Sequence, residues 1–238
     1  MNIDTTKTTQ TTETAIGFIP CYRLPFLSLF HADCMEIMKQ YPDKYFDLAI
    51  VDPPYGINAA NWDLITDRPK KEYWSELFRV SKNQIVFGAN YFTDNLPITK
   101  SWLVWDKTIR GKSYLKNRSE FELIWTSIKT NPAIFNYTID GNIEGFDGGR
   151  PNYKKQKAIH PTQKPVAVYE FIFKHFVTEG MKILDTHFGS GSIALAVDKA
   201  NRLDKMNLHL TACEIDKEYI DKAIKRISES IKQGTLSF

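Results

Sequence analysis

Asp52, Pro53, Pro54 and Tyr55 follow directly on the apolar run FDLAIV and lead into Gly56. An aspartate held at a strand end offers a carboxylate acceptor, and the carbonyl of Pro53 or Pro54 offers a second. A planar exocyclic amine carries two N–H donors, so this pair of acceptors can grip it and aim its nitrogen lone pair at an electrophile. Tyr55 supplies a ring to stack on the heterocycle that bears the amine. The amine attacks first and sheds its proton as positive charge develops, with the aspartate stabilising that charge. A simple stiff turn accounts for the prolines, but it leaves the carboxylate and the ring without work.

A second constellation lies in ILDTHFGSGSIALA. Asp185 ends a strand-like run, Gly189, Ser190 and Gly191 make a turn, and a helix-like segment follows. The glycines let the backbone approach a ligand closely, at the strand end where open parallel sheets place binding sites. Neither the dinucleotide fingerprint nor a P-loop fits, because the spacing lacks G-x-G-x-x-G and a Gly-Lys-Ser/Thr ending. A ligand bearing no phosphate fits better. Glu214, closing the strand-like LHLTACE, can accept hydrogen bonds from a ribose diol; alone it reads equally as a helix-start carboxylate ahead of Asp216. Asp185 can orient the ligand's amino group directly or through water, and Phe188 either covers an apolar part of the ligand or packs in the core. Turn and acid together point to a nucleoside-containing ligand.

Both constellations need strand ends at one edge of a sheet. Asp47 to Val51 reads as a buried strand, KKEYWSELFRV as a helix and NQIVFGA as the next strand. SWLVWD and FELIWTS are further strands, the second where a sheet finishes with an antiparallel strand or hairpin. After residues 129–159, rich in Gly, Asn and Lys and read as an excursion from the core, the alternation resumes. KPVAVYEFIFKHFV is a helix, MKILD a strand, GSGSIALAVDKA opens a helix, and LHLTACE is a strand. Lys217 to Ile231 is an amphipathic helix with Tyr219, Ile220, Ala223, Ile224 and Ile227 along one side. This alternation predicts a mainly parallel sheet covered by helices on both faces. The threonine-rich residues 1–16 read as a mobile, disordered tail.

With 238 residues, 42% of them hydrophobic and 25% charged, residues 17–238 can form one domain around a sizeable core. A net charge of +3 permits an anionic partner without singling out nucleic acid. Local clusters are more pointed. KTIRGKSYLKNR interleaves basic residues with Tyr114, and Arg150, Lys154, Lys155 and Lys157 surround Tyr153, so phosphates could be met while the aromatics pack on sugar or base. Cys21, Cys34 and Cys213 are too few for a disulfide scaffold and lack metal-ligand spacing, so a reducing compartment and no metal are expected. No stretch has the apolar length of a membrane span and no secretion signal is evident, which leads to a cytoplasmic expectation.

The DPPY stretch at 52–55 and the FGSG stretch at 188–191 resemble the catalytic and cofactor motifs of S-adenosylmethionine-dependent DNA adenine-N6 methyltransferases. Their order, catalytic motif first, is similar to that of the beta group of DNA amino-methyltransferases. The resemblance extends over most of residues 27–231, through HADCMEIM, NWD, WDK at 105–107, RSEFELIW, HPTQKP at 160–165 and CEIDKEYIDKAIKRI. It implies a permuted Rossmann-like α/β fold with a mainly parallel seven-stranded sheet flanked by helices.

By that resemblance Asp52, Pro53, Pro54 and Tyr55 hold a flipped-out adenine of double-stranded DNA. Asp185, Phe188, Gly189, Ser190 and Gly191 line the S-adenosylmethionine pocket, Glu214 binds its ribose, and Asp33 with Cys34 borders its adenine. Thr162, Gln163 and Lys164 stand around its methionine end, Lys164 being readable also as a solvated charge. Residues 129–159 become a short target-recognition region, with Asn61 to Lys71 as a second DNA-facing loop or lid. The shortness of that region suggests a short site, a homodimer or a specificity partner. The family commonly has D-P-F where this chain has Asp185, Thr186, His187 and Phe188, a departure in the shape of the loop. Serine is the more frequent first residue of the tetrapeptide in relatives that modify cytosine N4, so Asp52 favours adenine. Cytosine N4, RNA adenine and a catalytically silent DNA-binding subunit stay open as alternatives.

Overall fold

Phe46, Leu48, Ala49, Ile50 and Val51 are all buried, as a strand covered on both faces requires. They form β3 (Phe46–Val51) at the centre of the sheet. The computed structural model describes residues 17–56, 68–108, 119–140, 143–145 and 163–235. Before β3 come β1 (Tyr22–Leu24), β2 (Leu27–His31) and α1 (Cys34–Met38); after it come α2 (Lys71–Val80), β4 (Ser81–Phe87), β5 (Trp102–Asp106) and β6 (Phe121–Thr126). Then follow β7 (Ala133–Asn136), β8 (Thr138–Asp140), β9 (Ile143–Gly145), α3 (Val166–Phe176), β10 (Lys182–Asp185), α4 (Ser192–Asp204), β11 (His209–Glu214) and α5 (Lys217–Thr235).

The main sheet runs β1-β2-β11-β10-β3-β4-β6-β5-β7, and β8 pairs with β9 in a separate hairpin. Seven strands lie between its outermost two, and among them β6 alone is antiparallel to its neighbours. The difference from expectation is at the rims: β1 adds antiparallel to β2 and β7 adds parallel to β5, so the sheet has nine strands. Each added strand covers backbone groups that an edge would otherwise leave unpaired. Side chains alternate between two cores. Leu48, Ile50, Ile85 and Phe87 meet Val168, Ile172, Ile193 and Ile227 from α3, α4 and α5. Ala49, Val51 and Val86 turn the other way, toward Ile37 of α1 and Trp74 and Leu77 of α2.

From β3 the chain crosses through α2 to β4, and from β10 it crosses through α4 to β11, in opposite directions along the sheet. The border between β10 and β3 is therefore the switch point, and the carboxyl ends of β2, β11, β10, β3 and β4 share one edge beside it.

The segment 129–159 is not wholly an excursion. Its AIFN becomes β7, and Phe135 is buried with its ring stacked on Phe171 at 4.5 Å. A single inward aromatic on a short edge strand leaves little trace amid glycine and asparagine. The rest of the proposed recognition region from residue 146, the tail 1–16, residues 61–67 of the second loop and 109–118 of the first basic cluster lie outside the described residues, as do Arg150, Tyr153, Lys154, Lys155 and Lys157. Among the described residues no helix is long and apolar enough to cross a membrane, and no group of side chains could hold a metal ion.

If β7 belongs to the core, Phe135→Ala should cost about 3 kcal/mol of stability in urea denaturation, the cavity term of a buried aromatic. An unchanged midpoint would return this segment to the surface.

Candidate active site

Asp52 is the first residue beyond β3, and the two prolines after it lack the N–H groups to continue the ladder. Pro53 is buried, and Gly56, at φ +70°, turns the chain away. Tyr55 folds back across the end of β4. Its ring stacks on Tyr91 at 4.7 Å and 15°, and meets Phe92 edge-on at 6.0 Å. Beneath it lies Gly88, at φ +59°, where a Cβ would come within 2.2 Å of the Tyr55 ring. Only glycine suits both that backbone and that space.

The Tyr55 hydroxyl donates to Asp52 Oδ1 at 2.9 Å, with Glu122 Oε1 of β6 a second acceptor at 3.3 Å. Lys164 Nζ donates to Asp52 Oδ2 at 2.6 Å and lies 3.0 Å from Glu122 Oε1. It also sits 4.6 Å from the centre of the Phe87 ring. Lys107 Nζ lies 3.1 Å from Glu122 Oε2 and 4.5 Å from the centre of the Trp105 ring. Two cations and two carboxylates thus alternate in the order Lys107, Glu122, Lys164, Asp52. Side-chain exposure is 11% for Glu122, 7% for Lys164 and 26% for Asp52, so Asp52 is the most accessible of these three. Burial alone would raise the Glu122 carboxyl, but Lys164 and Lys107 hold it below its ordinary value. Burial alone would lower Lys164, but Asp52 and Glu122 hold it above. The Tyr55 phenol is pushed well above its ordinary value, by burial first and then by the two carboxylates.

One edge further along, Asp185 is buried at the end of β10 and accepts the His187 N–H at 3.0 Å. Burial, with Asp52 and Glu214 adding to it, pushes its carboxyl up to about 7. Glu214 is fixed by three backbone donors: Gly189 N–H at 2.8 Å to one oxygen, and Ile215 and Asp216 N–H at 2.9 and 3.0 Å to the other. Glu214 and the glycine turn, separate in sequence, are one hydrogen-bonded unit. Gly189 and Gly191 take left-handed backbones, at φ +52° and +72°. Phe188 packs in the core, and a Cβ on Gly191 would press on its ring at 3.1 Å and on Ile227 at 3.2 Å. Arg226 of α5 donates to the Ser190 carbonyl and the Ser192 hydroxyl, both at 2.9 Å, and Ser192 donates to the Lys164 carbonyl at 2.6 Å.

Asp33 caps α1 through the Met35 N–H at 2.7 Å, and Cys34 opens that helix, its thiol pushed up to about 12 mainly by burial. The pairing of His31 with Glu214 brings this cap beside the β11 end. Gln163 is half-buried next to Lys164, and Thr162 lies outside the described residues. The departure at Thr186 and His187 is held by a relay: Tyr73 OH lies 2.7 Å from Thr186 Oγ1, which lies 2.9 Å from His187 Nδ1. Burial pushes His187 down to about 4, so its imidazole is neutral at neutral pH.

Sequence reasoning finds Asp52 and Tyr55 but misses Glu122, Gly88 and Tyr91, and assigns Lys107 to a phosphate-facing loop. Lys164, expected at a cofactor's methionine end, has its ammonium on Asp52 and Glu122. A charged residue on the inward phase of FELIWT was the available signal for Glu122, since it shares a strand face with buried Ile124.

Three carboxylates gathered at strand ends, one of them buried and pushed to about 7, suit a ligand with positive charge and hydroxyl donors. The architecture is an α/β methyltransferase fold. A solved structure described as PvuII DNA methyltransferase (cytosine-N4-specific) aligns over 91% of this chain and 95% of its own, with a TM-score of 0.59 at 12% identity. The M1.HpyAVI–SAM complex aligns over 84% and 99%, with a TM-score of 0.51 at 23% identity. Residues 97–225 match the family model for DNA methylase, N6_N4_Mtase, and the chain belongs to that family. That match spans Glu122, Lys164, Asp185 and Glu214 but begins after Asp52. Among curated proteins, the Type II methyltransferase M.ScaI of Streptomyces caespitosus is 22% identical over 87% of this chain and 83% of its own. The DNA adenine methyltransferase YhdJ of Escherichia coli is 26% identical over 84% and 82%.

Gly88→Ala should displace Tyr55 and add backbone strain of about 1–3 kcal/mol, lowering methyl transfer at least tenfold, about 1.4 kcal/mol or more in barrier, with the far-UV circular dichroism unchanged. Asp185 has a second consequence. Its raised carboxyl keeps a proton in the folded chain that the unfolded chain releases, so the stability it contributes falls as pH climbs toward about 7. Asp185→Asn should therefore gain in melting temperature relative to the parent as pH rises from about 5 to about 7 and level off above that, the His187 titration being common to both proteins and cancelling in the difference.

Proposed function

We propose that the chain transfers the methyl group of S-adenosylmethionine to N6 of an adenine turned out of double-stranded DNA. One observation carries this reading: the Asp52 turn and the Asp185 glycine turn leave adjacent parallel strands at the switch point, with Leu48 paired to Ile183 and Ala49 to Leu184. The acceptors for a target amine and the acids for a nucleoside cofactor are neighbours for that reason. The family membership and the names of the curated relatives support the same activity.

S-adenosylmethionine supplies a methyl group on a positively charged sulfur. Asp185 would take its amino group, Glu214 its ribose hydroxyls, and Asp33 with Cys34 its purine, with Gly189, Ser190 and Gly191 giving the backbone room. On the other side of the border, Asp52 and a carbonyl of Pro53 or Pro54 receive the two N–H groups of the target amine. Held this way, the nitrogen lone pair is directed rather than delocalised into the ring, and Asp52 stabilises the positive charge that grows on nitrogen until a proton is lost. Tyr55, backed by Tyr91, forms the aromatic wall for the base. An adenine within the duplex cannot reach this wall, so it must leave the stack. Asp52, in place of serine, favours adenine over cytosine.

Residues 17–238 act in this reading as one catalytic domain in the cytoplasm, with 129–159 and the basic segments at 107–118 and 150–157 directed to DNA. The short recognition region is consistent with reliance on a second copy or a specificity partner.

Incubation with labelled S-adenosylmethionine and separate DNA and RNA pools, followed by mass spectrometry of the nucleosides, should yield N6-methyladenine from DNA alone. N4-methylcytosine, or label in RNA, would replace the substrate; no transfer despite cofactor binding would make this a silent DNA-binding subunit. Asp52→Ala should cut transfer by at least about a hundredfold, as loss of a charge-stabilising group does, with cofactor affinity within about twofold, less than 0.5 kcal/mol. A large loss of cofactor affinity would overturn that division of labour.

A further inference from the structure

We infer that Glu122 and Lys164 are positioning residues for the target amine: Glu122 shares the Lys164 ammonium with Asp52, and so preserves Asp52 as a free-handed acceptor. The inference rests on the methyl-transfer reading above. Its starting point is a competition. Asp52 Oδ2 receives Lys164 at 2.6 Å and Oδ1 receives Tyr55 at 2.9 Å, which occupies one lone-pair direction on each oxygen. A carboxylate has about four such directions, so the amine can still be accepted. A cation given wholly to Asp52 would nevertheless draw off the electron density that an N–H donor needs.

Glu122 prevents this. Its Oε1 takes a share of Lys164 at 3.0 Å and offers Tyr55 a second acceptor at 3.3 Å. Lys107, at 3.1 Å from the other Glu122 oxygen, neutralises the acid that does the sharing. The four groups come from four places, the β3 end, the β5 end, β6 and the turn before α3, and their formal charges cancel. Phe87 and Trp105 lie under the two ammonium groups. Among the described residues, the Asp185 carboxyl on β10 and the Tyr169 phenol on α3 are further titratable groups within electrostatic reach of Asp52.

A packing role and this role part company when the charges are removed singly and together. Lys164→Met leaves Asp52 and Glu122 facing each other across the Tyr55 hydroxyl without a cation between them. Like charges that close cannot both persist, so one carboxyl takes up a proton near neutral pH. Glu122→Gln/Lys164→Met removes the partner as well and returns the row to neutrality.

The test is single-turnover methyl transfer to duplex DNA at saturating cofactor, from pH 6 to 9, with cofactor affinity and melting temperature measured alongside. Lys164→Met should be at least about a hundredfold slow at pH 7, the scale of an uncompensated buried charge, and its rate should climb with pH where the parent's does not. The double variant should be faster than Lys164→Met at pH 7 and lose that climb. Glu122→Gln alone should slow transfer about tenfold with cofactor affinity unchanged, on the scale of one charged hydrogen bond, and this reads the inference should Lys164→Met not fold. A double variant no faster than Lys164→Met, or a loss in Glu122→Gln that falls on cofactor affinity, would overturn the inference while leaving an active parent enzyme. A parent that methylates no nucleobase would overturn the methyl-transfer reading and this inference with it.

Discussion

Bringing an ionised carboxylate to the apolar end of a sheet is costly unless its charge is answered, and that constraint shapes the edge of this molecule. Asp52 must be open enough to receive a ligand, yet it stands beside buried Pro53 and under the Tyr55 hydroxyl. Lys164 answers its charge, Glu122 answers Lys164, and Lys107 answers Glu122 in turn. Each addition solves the desolvation problem created by the one before. The row ends at Lys107, whose ammonium lies over the Trp105 ring at the end of β5. Strands far apart in sequence are held in register partly because a shift in any of them would leave a charge stranded.

The cofactor side solves the corresponding problem with backbone. Glu214 is held by the amides of Gly189, Ile215 and Asp216 rather than by a cation, and Asp185 by the amide of His187. Dipoles of fixed direction orient these acids without a cation to occupy them, which leaves their oxygens to a ligand's donors. The two halves are joined by Ser192, whose hydroxyl ties the helix after the glycine turn to the backbone of Lys164, with Arg226 holding Ser192 and the Ser190 carbonyl. Thus the residue that answers Asp52 is anchored to the helix that follows the glycine turn.

Much of this was legible in the sequence where a residue's role is local. The run FDLAIV ending in DPPY, and KILD ending before GSG, gave strand ends and their chemistry because apolar patterning and turn residues act over a few positions. The helices α2, α3, α4 and α5 were recognisable for the same reason. What could not be read was pairing across distance. Nothing near Glu122 names Lys164 as its partner, and nothing near Gly88 announces that a tyrosine ring will lie on it. The strand β7 escaped because its pattern amounts to one buried phenylalanine, and β1 because three residues carry no pattern at all. Thr186 and His187 read as a departure from the family loop; Tyr73, a helix residue over a hundred positions earlier, is what accommodates them.

The spread of the charge row along the chain bears on how the protein is made. Synthesis delivers Asp52 first, and Lys164 follows 112 positions later. Until it arrives, β3 carries an acid that the finished interior would not tolerate alone, while β2 must wait longer still for β11, its partner in the sheet. Contacts of such long range close slowly, because loop entropy must be overcome before they reward the chain. The edge at the end of β3 therefore depends on partners from the second half of the chain, and the DPPY stretch lacks them until that half has been made.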